Sequence, residues 1–431
     1  MMKKYVVLPI ILFLLGFLCR GAMAEEILSW EDCLAEARQN HPDLISAVES
    51  VKQQKASKAI TSSGLFPQID TNLGASTAGT NTTNTTTDVT TKATTDTYTY
   101  GVSGTQLIFD GFKTLNQVKS AAENIKAAQE NYRFTSSSVR LNLRTAFVNL
   151  LKAQELIKVA EEIARIRKGS LELITLRYES GLEHRGALLT AEANLAEALF
   201  ELAQAKRDVG LSQRQLAKEM GRKEFQPVSV NGDFSVREES LEKPDLEMLA
   251  KNHPSLLQAL AKMNAAAFEI NSAYAEFAPA LSGDAGANKK SSHWPPQDDN
   301  WNLGLSVTLP IFEGGLRMAQ VSKARAAYNQ LEADARSTGD SLVVGLEKSW
   351  VALQDAIETT GVQRKVLNAA EERSKIAEAQ YSVGFITFDN WIIIENDLVS
   401  AKKAFLSAQA NALLAEANWI QAKGETLEYA Q

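Results

Sequence analysis

The chain has 431 residues, 45% of them hydrophobic and 23% charged, with a formal net charge of −7. That is enough apolar material for a large core, and an acidic balance without a basic stripe excludes a nucleic-acid binder. Four histidines without metal-ligand spacing, and no G-x-x-x-x-G-K-[ST], G-x-S-x-G or H-E-x-x-H, leave an enzyme without its parts; no catalytic residue, metal or cofactor is assigned.

Lys3 and Lys4 precede an apolar run over residues 5–18 and then Ala22-Met23-Ala24, the pattern of a secretory signal over residues 1–24. The run is shorter than the ~20 residues a spanning helix needs. Cys19 follows the bulky Leu18 where lipoprotein processing wants a small residue, so lipidation is not expected. Cleavage would remove Lys3, Lys4 and Arg20 and move the net charge to −10. It would leave Cys33 as the one cysteine, which forbids an intramolecular disulfide despite export.

Residues 42–64 open on Pro42, a residue suited to the first turn of a helix. Over residues 67–109 the period changes. Ile69, Thr71, Leu73 and Ala75 alternate with polar neighbours, as do Tyr98, Tyr100 and Val102, which predicts a β-hairpin. The Thr- and Asn-rich run over residues 77–96 falls at its apex and reads as a disordered, extracellular loop. Next, Lys113 to Glu179 are 67 residues without proline and with glycine only at Gly169. They predict one helix of about 100 Å at 1.5 Å per residue.

That helix carries a seam. Val139, Leu143, Ala146, Leu150, Ala153, Ile157, Ala160 and Ala164 alternate steps of four and three, the spacing of a coiled coil. Leu156, Val159, Ile163 and Ile166 form a second stripe beside it. Two stripes let a helix pack on neighbours at both sides, like a stave in a cylinder. The chain then reverses at Tyr178-Glu179-Ser180-Gly181-Leu182 and returns as a helix over about residues 186–220, closed by Gly221 at a position that wants a left-handed residue.

The organisation from residue 40 onwards occurs twice. Residues 109–221 return as residues 312–424 at a constant offset of 203, so Phe109-Asp110-Gly111 recurs as Phe312-Glu313-Gly314 and Gly221 as Gly424. Asn40-His41-Pro42 recurs as Asn252-His253-Pro254 at an offset of 212, and Phe66 as Phe277 at 211. The large change of length, from 211 to 203, lies in the hairpin, so the helices span a fixed distance and the hairpin tips do not. The copies occupy residues 25–221 and 244–431, joined by a linker over 222–243, and the second hairpin lies at about 279–312 with a shorter loop over 289–299. His41 and His253, as repeat copies at helix starts, read as structural. In the second hairpin Trp301, Leu303, Leu305 and Val307 alternate strictly with Asn300, Asn302, Gly304 and Ser306. In an exported chain whose helices already spend their stripes on one another, such a face points to lipid. Four strands do not close a barrel, so the chain is expected to oligomerise.

In this order and spacing the duplication, the Asn-His-Pro starts, Leu107-Ile108-Phe109-Asp110-Gly111, Leu309-Pro310-Ile311-Phe312-Glu313-Gly314 and the Tyr-x-x-Gly tips resemble the TolC family of outer-membrane efflux proteins over nearly the whole mature length. The resemblance implies a mainly α fold with a small β part. Duplicated helical hairpins would form a trimeric α-barrel, and four strands per chain would join a twelve-stranded transmembrane β-barrel in outer-membrane lipid. It implies a homotrimer acting as a passive exit duct in an efflux or type I secretion system, with a periplasmic adaptor and an inner-membrane pump as partners and an equatorial belt over residues 222–243. The tips Gly181, Leu182, Gly384 and Phe385 would dock the adaptor, unless Leu182 and Phe385 fold back on their own helices.

Family members often close the periplasmic end just past the second tip. Tyr381 matches the tyrosine of that closure, but the acidic positions hold Asn390 and Ile393 and the basic one Ile386, with Asp389 one place early. A constriction of Tyr381, Asp389 and Asn390 and an apolar plug of Phe385 and Trp391 both remain open. The competing reading from another class is a soluble periplasmic coiled-coil scaffold, which has no use for the alternation from Trp301 to Val307.

Overall fold

The computed structural model describes residues 26–84, 86, 88–234 and 242–428. The expected signal over residues 1–24 and residues 235–241 of the expected linker lie outside them. The elements run β1 (Glu26–Leu28), α1 (Trp30–Asn40), α2 (Pro42–Ser63), β2 (Gln68–Asn84), β3 (Val89–Phe109), α3 (Lys113–Glu179), α4 (Arg185–Glu219), β4 (Val228–Val230), α5 (Leu246–Lys251), α6 (Pro254–Ala275), β5 (Ala280–Ser291), β6 (Asp298–Thr308), α7 (Leu316–Ser382) and α8 (Phe388–Ala422). The expected long helix is α3, and its repeat α7 has the same 67 residues.

The chain divides into two units. The first holds residues 26–42, most of 137–244 and 348–428. Its core follows the seam: Val139, Leu143, Ala146, Leu150 and Ala153 of α3 are buried, as are Trp350 and Leu353 of α7. Trp350 meets Trp419 of α8 edge to face with ring centres 5.2 Å apart. On the second stripe, Ile163 packs with Ala198 of α4 and Val399 of α8, so α3 is gripped on two sides. Each large apolar side chain buried this way contributes about 1.5–3 kcal/mol.

Unforeseen from sequence is the parallel pair β1 and β4. Gln154 on α3 holds it in place: its side-chain amide donates to the Val230 carbonyl at 3.1 Å and accepts from the Val230 N–H at 3.0 Å. Beside it, Arg222 forks onto Glu36 at 2.7 and 2.8 Å and reaches Glu26 at 3.0 Å. Gly221, at φ +78°, passes so close to Asn40 that a Cβ would lie 2.4 Å from the Asn40 carbonyl oxygen, so glycine is required there by both conformation and space.

The second unit comprises Asp43–Ser136 and Asp245–Glu347. It contains a four-stranded sheet of order β2-β3-β5-β6, antiparallel throughout, with β2 and β6 at its free edges. His253 begins α6 as a cap, its Nδ1 accepting the Ser255 N–H at 3.2 Å, which is the structural part expected of it.

The reading of residues 77–96 as a disordered loop is corrected. Pairing of β2 with β3 continues from Thr77↔Asp96 to Asn84↔Val89, well past Tyr98↔Ser291, where β3 leaves β5. Threonine is β-branched and favours extended backbone, so a run that looks like low complexity forms a ribbon. Thr77 donates to Asp96 at 2.7 Å and Thr83 meets Thr90 at 2.9 Å across it. The loop expected over 289–299 shrinks likewise: β5 extends to Ser291, β6 starts at Asp298, and Lys289 pairs with Asp299 at 3.0 Å.

Candidate functional site

The sheet is one candidate surface. Partners in neighbouring strands share a face, so the register sorts every residue. One face carries the rows Ile69↔Gly104↔Ala285↔Leu303 and Thr71↔Val102↔Ala287↔Trp301, and further along Leu305 and Val307. The other carries Asp70↔Ser103↔Gly286↔Asn302 and Asn72↔Gly101↔Asn288↔Asn300. Asn302 donates to Asp284 at 2.9 Å on that polar face. Among the described residues the four apolar side chains Trp301, Leu303, Leu305 and Val307 are 67–81% exposed. Among the described residues no helix is long and apolar enough to cross a membrane.

The second candidate surface is the pair of hairpin tips in the first unit. Each ends its long helix in the same way. The Leu182 N–H bonds the Arg177 carbonyl at 2.8 Å and the Gly181 N–H the Tyr178 carbonyl at 3.0 Å; Phe385 and Gly384 repeat the pattern onto Gln380 and Tyr381 at 2.8 and 3.0 Å. The motif demands a left-handed residue, supplied by Gly181 at φ +71° and Gly384 at φ +83°. Leu182 and Phe385 are 66% and 83% exposed, so neither is folded back under its own helix.

Behind the tips lies a cluster of Ile174, Ala187, Ala191, Ala377, Tyr381, Phe388 and Trp391. Tyr381 stacks on Trp391 with ring centres 4.4 Å apart and planes at 15°. The Arg177 guanidinium covers the Tyr381 ring at 4.7 Å, and the phenol donates to Glu183 Oε2 at 2.7 Å. Burial and the Glu183 carboxylate hold the phenol well above its ordinary pKa. Trp391 is therefore a core residue, and of the two side chains in the plug that the sequence left open Phe385 alone is exposed. Asp389 and Asn390 are exposed in the first turn of α8, where the Thr387 hydroxyl caps the Asn390 N–H at 3.4 Å.

Farther along the same helices, Arg167 of α3 donates to Glu395 Oε1 of α8 at 2.7 Å and also bonds Asn396, while Ser170 donates to Glu395 Oε2 at 2.9 Å. Burial pushes the Glu395 carboxyl up, against the pull of Arg167. Glu183, Arg177, Arg167 and Glu395 had not been singled out in the sequence. For two of them a signal exists: Arg167 continues the seam three residues after Ala164, and Glu395 stands between Trp391 and Leu398 at steps of four and three. A charge on an apolar seam marks a buried partner.

The sequence model of the family described as outer membrane efflux protein matches residues 33–222 and 246–425. The outer membrane efflux protein BepC of Brucella suis is 22% identical over 396 residues, covering 91% of this chain and 84% of that protein. The outer membrane protein TolC of Escherichia coli is 25% identical over 193 residues, covering 42% and 39%. Among solved structures, CusC superposes with a TM-score of 0.82 at 18% identity over 92% of both chains. The Campylobacter jejuni outer membrane channel CmeC gives 0.80 at 18% identity, covering 93% of this chain and 87% of the other.

Proposed function

Because the chain belongs to the outer membrane efflux protein family, we propose that three copies form a passive exit duct through the outer membrane. It is a channel protein and not an enzyme. Three four-stranded sheets close as one barrel, each β6 edge joining the next chain's β2 edge, with the row from Trp301 to Val307 against lipid and the Asn302 face towards the lumen. The long helices line the periplasmic part of the duct. Asp389 and Asn390 narrow its entrance, on a helix that the buried Tyr381 holds from behind, and the exposed tips Gly181-Leu182 and Gly384-Phe385 receive the helical hairpin of a periplasmic adaptor that couples the duct to an inner-membrane pump.

The observation that carries this reading is the sheet with one apolar face left bare and two free edges. In water such a sheet aggregates; in lipid its face is solvated and only its edges need partners. The soluble scaffold leaves the same face unexplained. Detergent-free fractionation tests the choice: the protein sediments with outer membrane, and cross-linking there gives a ladder that stops at three. Recovery in the periplasmic extract, or stable monomers in the membrane, would refute it.

A further inference from the structure

Away from the sheet and the tips, a pocket of about 310 Å³ opens where the start of α1, the stretch of α3 around Arg140 and the end of α8 meet. All three stretches belong to the first unit. At 1.5 Å per residue the pocket lies roughly 50 Å along α3 from the turn at Gly181. Leu34, Leu141, Ala417 and Ile420 give it an apolar wall, of which Leu34 and Ala417 are buried.

Arg144 lines the same pocket, and its guanidinium stacks 4.9 Å from the centre of the Trp30 ring and 5.7 Å from that of Phe147. Stacking occupies the flat face of the group and leaves its N–H edge to be satisfied. That edge has no taker. Arg144 is half-buried, yet it makes no hydrogen bond or ion pair with any described residue. Burial holds its pKa below the ordinary value, so an anion brought to that edge would relieve a desolvated charge. Arg140, one turn earlier, is committed elsewhere: it donates to the Thr426 carbonyl at 3.0 Å and lies 3.5 Å from Glu425. It adds positive charge to the wall.

The packing of α3 does not call for these cations. At the offset of 203, Leu143 falls on Leu346 and Phe147 on Trp350, while Arg140 falls on Val343 and Arg144 on Glu347. The repeat keeps the seam and drops both arginines, so they belong to this pocket and not to the helix. The free edge of a guanidinium fits the two oxygens of a carboxylate. The apolar wall asks for an apolar body, and the volume is at the small end of the ~300–1,000 Å³ of ligand pockets. Glu31 and Glu416, both exposed on the lining, oppose a second negative charge.

We propose that this pocket binds a small monocarboxylate with an apolar body, its carboxylate forked on Arg144 and its body against Leu34, Leu141 and Ile420. The site goes beyond the duct reading and does not depend on it.

The test is calorimetric titration of the full chain, purified in a detergent without a carboxylate, with indole-3-acetate as probe. Saturable binding is expected, with the neutral indole-3-acetamide weaker by about tenfold or more, as loss of a charge-assisted hydrogen bond requires. Inorganic phosphate should not compete. Arg144→Gln should weaken the acetate by about the same factor, and Arg144→Lys should rescue it only in part because a lysine keeps the charge without the fork. Glu416→Gln guards against a variant that merely fails to fold, since removing a like charge should tighten binding about threefold. Absence of saturable binding to the unaltered chain would overturn the proposal, as would an acetamide that binds equally well. Phosphate competition would make the pocket a general anion site, and unchanged affinity in Arg144→Gln or Glu416→Gln would place the probe elsewhere; either result also refutes it.

Discussion

Arg167 and Glu395 meet at 2.7 Å inside the packing of α3 on α8, each with less than a tenth of its side chain exposed. A buried pair adds little net stability over apolar side chains, but removing one partner strands the other at a cost of about 3–5 kcal/mol. Arg167→Met or Glu395→Leu alone should therefore lower the melting temperature of purified trimers sharply, and the double variant should recover most of the loss. If the double variant melts as low as the singles, packing and not charge decides this contact.

The same pair sets a pH dependence. The Glu395 carboxyl is raised in the folded chain above its ordinary value of 4.5. The folded state then binds more protons than the unfolded state in the window between the two values, so the stability contributed is full below 4.5 and is lost as pH rises through the raised value. Hydrogen exchange along α3 around Arg167 should slow as pH falls through that window, after correction for intrinsic rates. Glu395→Gln should flatten the trend, and an unchanged slope would assign it to another group.

At the entrance, Asp389→Ala with Asn390→Ala should raise single-channel conductance in planar bilayers. Tyr381→Phe should act from behind. It removes a hydrogen bond to the Glu183 carboxylate, a kind worth about 1.5–3 kcal/mol, and should hasten hydrogen exchange at residues 174–188. Since Trp391 is buried against Tyr381, unchanged conductance in the double Ala variant would leave Phe385 to narrow the entrance.

Sidedness of β6 is open to a paired substitution. Leu305→Arg puts a charge on the bare apolar face and should cost about 2–4 kcal/mol near the bilayer midplane, read as lost outer-membrane trimer. Ser306→Arg points to the polar face, with Ser282 as its neighbour in β5, and should be tolerated. Equal damage from both would show that the two faces are solvated alike.

Much of this was legible because duplication is a length argument. A constant offset of 203 residues from Phe109 to Gly424 places the ends of α3, α4, α7 and α8 without any propensity. Period gave the strands their faces: Leu303 and Asn302 fall on opposite sides of the sheet as their alternation requires. What escaped depends on distant partners. The three-residue strands β1 and β4 are held by side chains distant in sequence, Gln154, Gln213 and Arg222 among them, and neither strand has a period of its own. Trp391 lies near a tip in sequence, but its ring is stacked on Tyr381, a partner ten residues away that no period announces. The Thr-rich run misled because its composition resembles disorder while its β-branched side chains favour extension.

The tips allow the most direct test of the proposed adaptor contact. Glycine at 181 and 384 supplies the left-handed turn, and the residue after each is a large, exposed apolar side chain. A free apolar group at a helix reversal costs solubility, and it is tolerable where a partner covers it. Leu182→Asp with Phe385→Asp removes that offer without touching Tyr381, Trp391 or the hydrogen bonds of the turn, which are made by backbone groups. In a strain lacking its own channel, the double variant should reach the outer membrane as intact trimers and fail to export. Cross-linking of the adaptor to the tips should fall in parallel. Trimers that dissociate would make the tips structural, and export that continues would place the adaptor elsewhere along the helices.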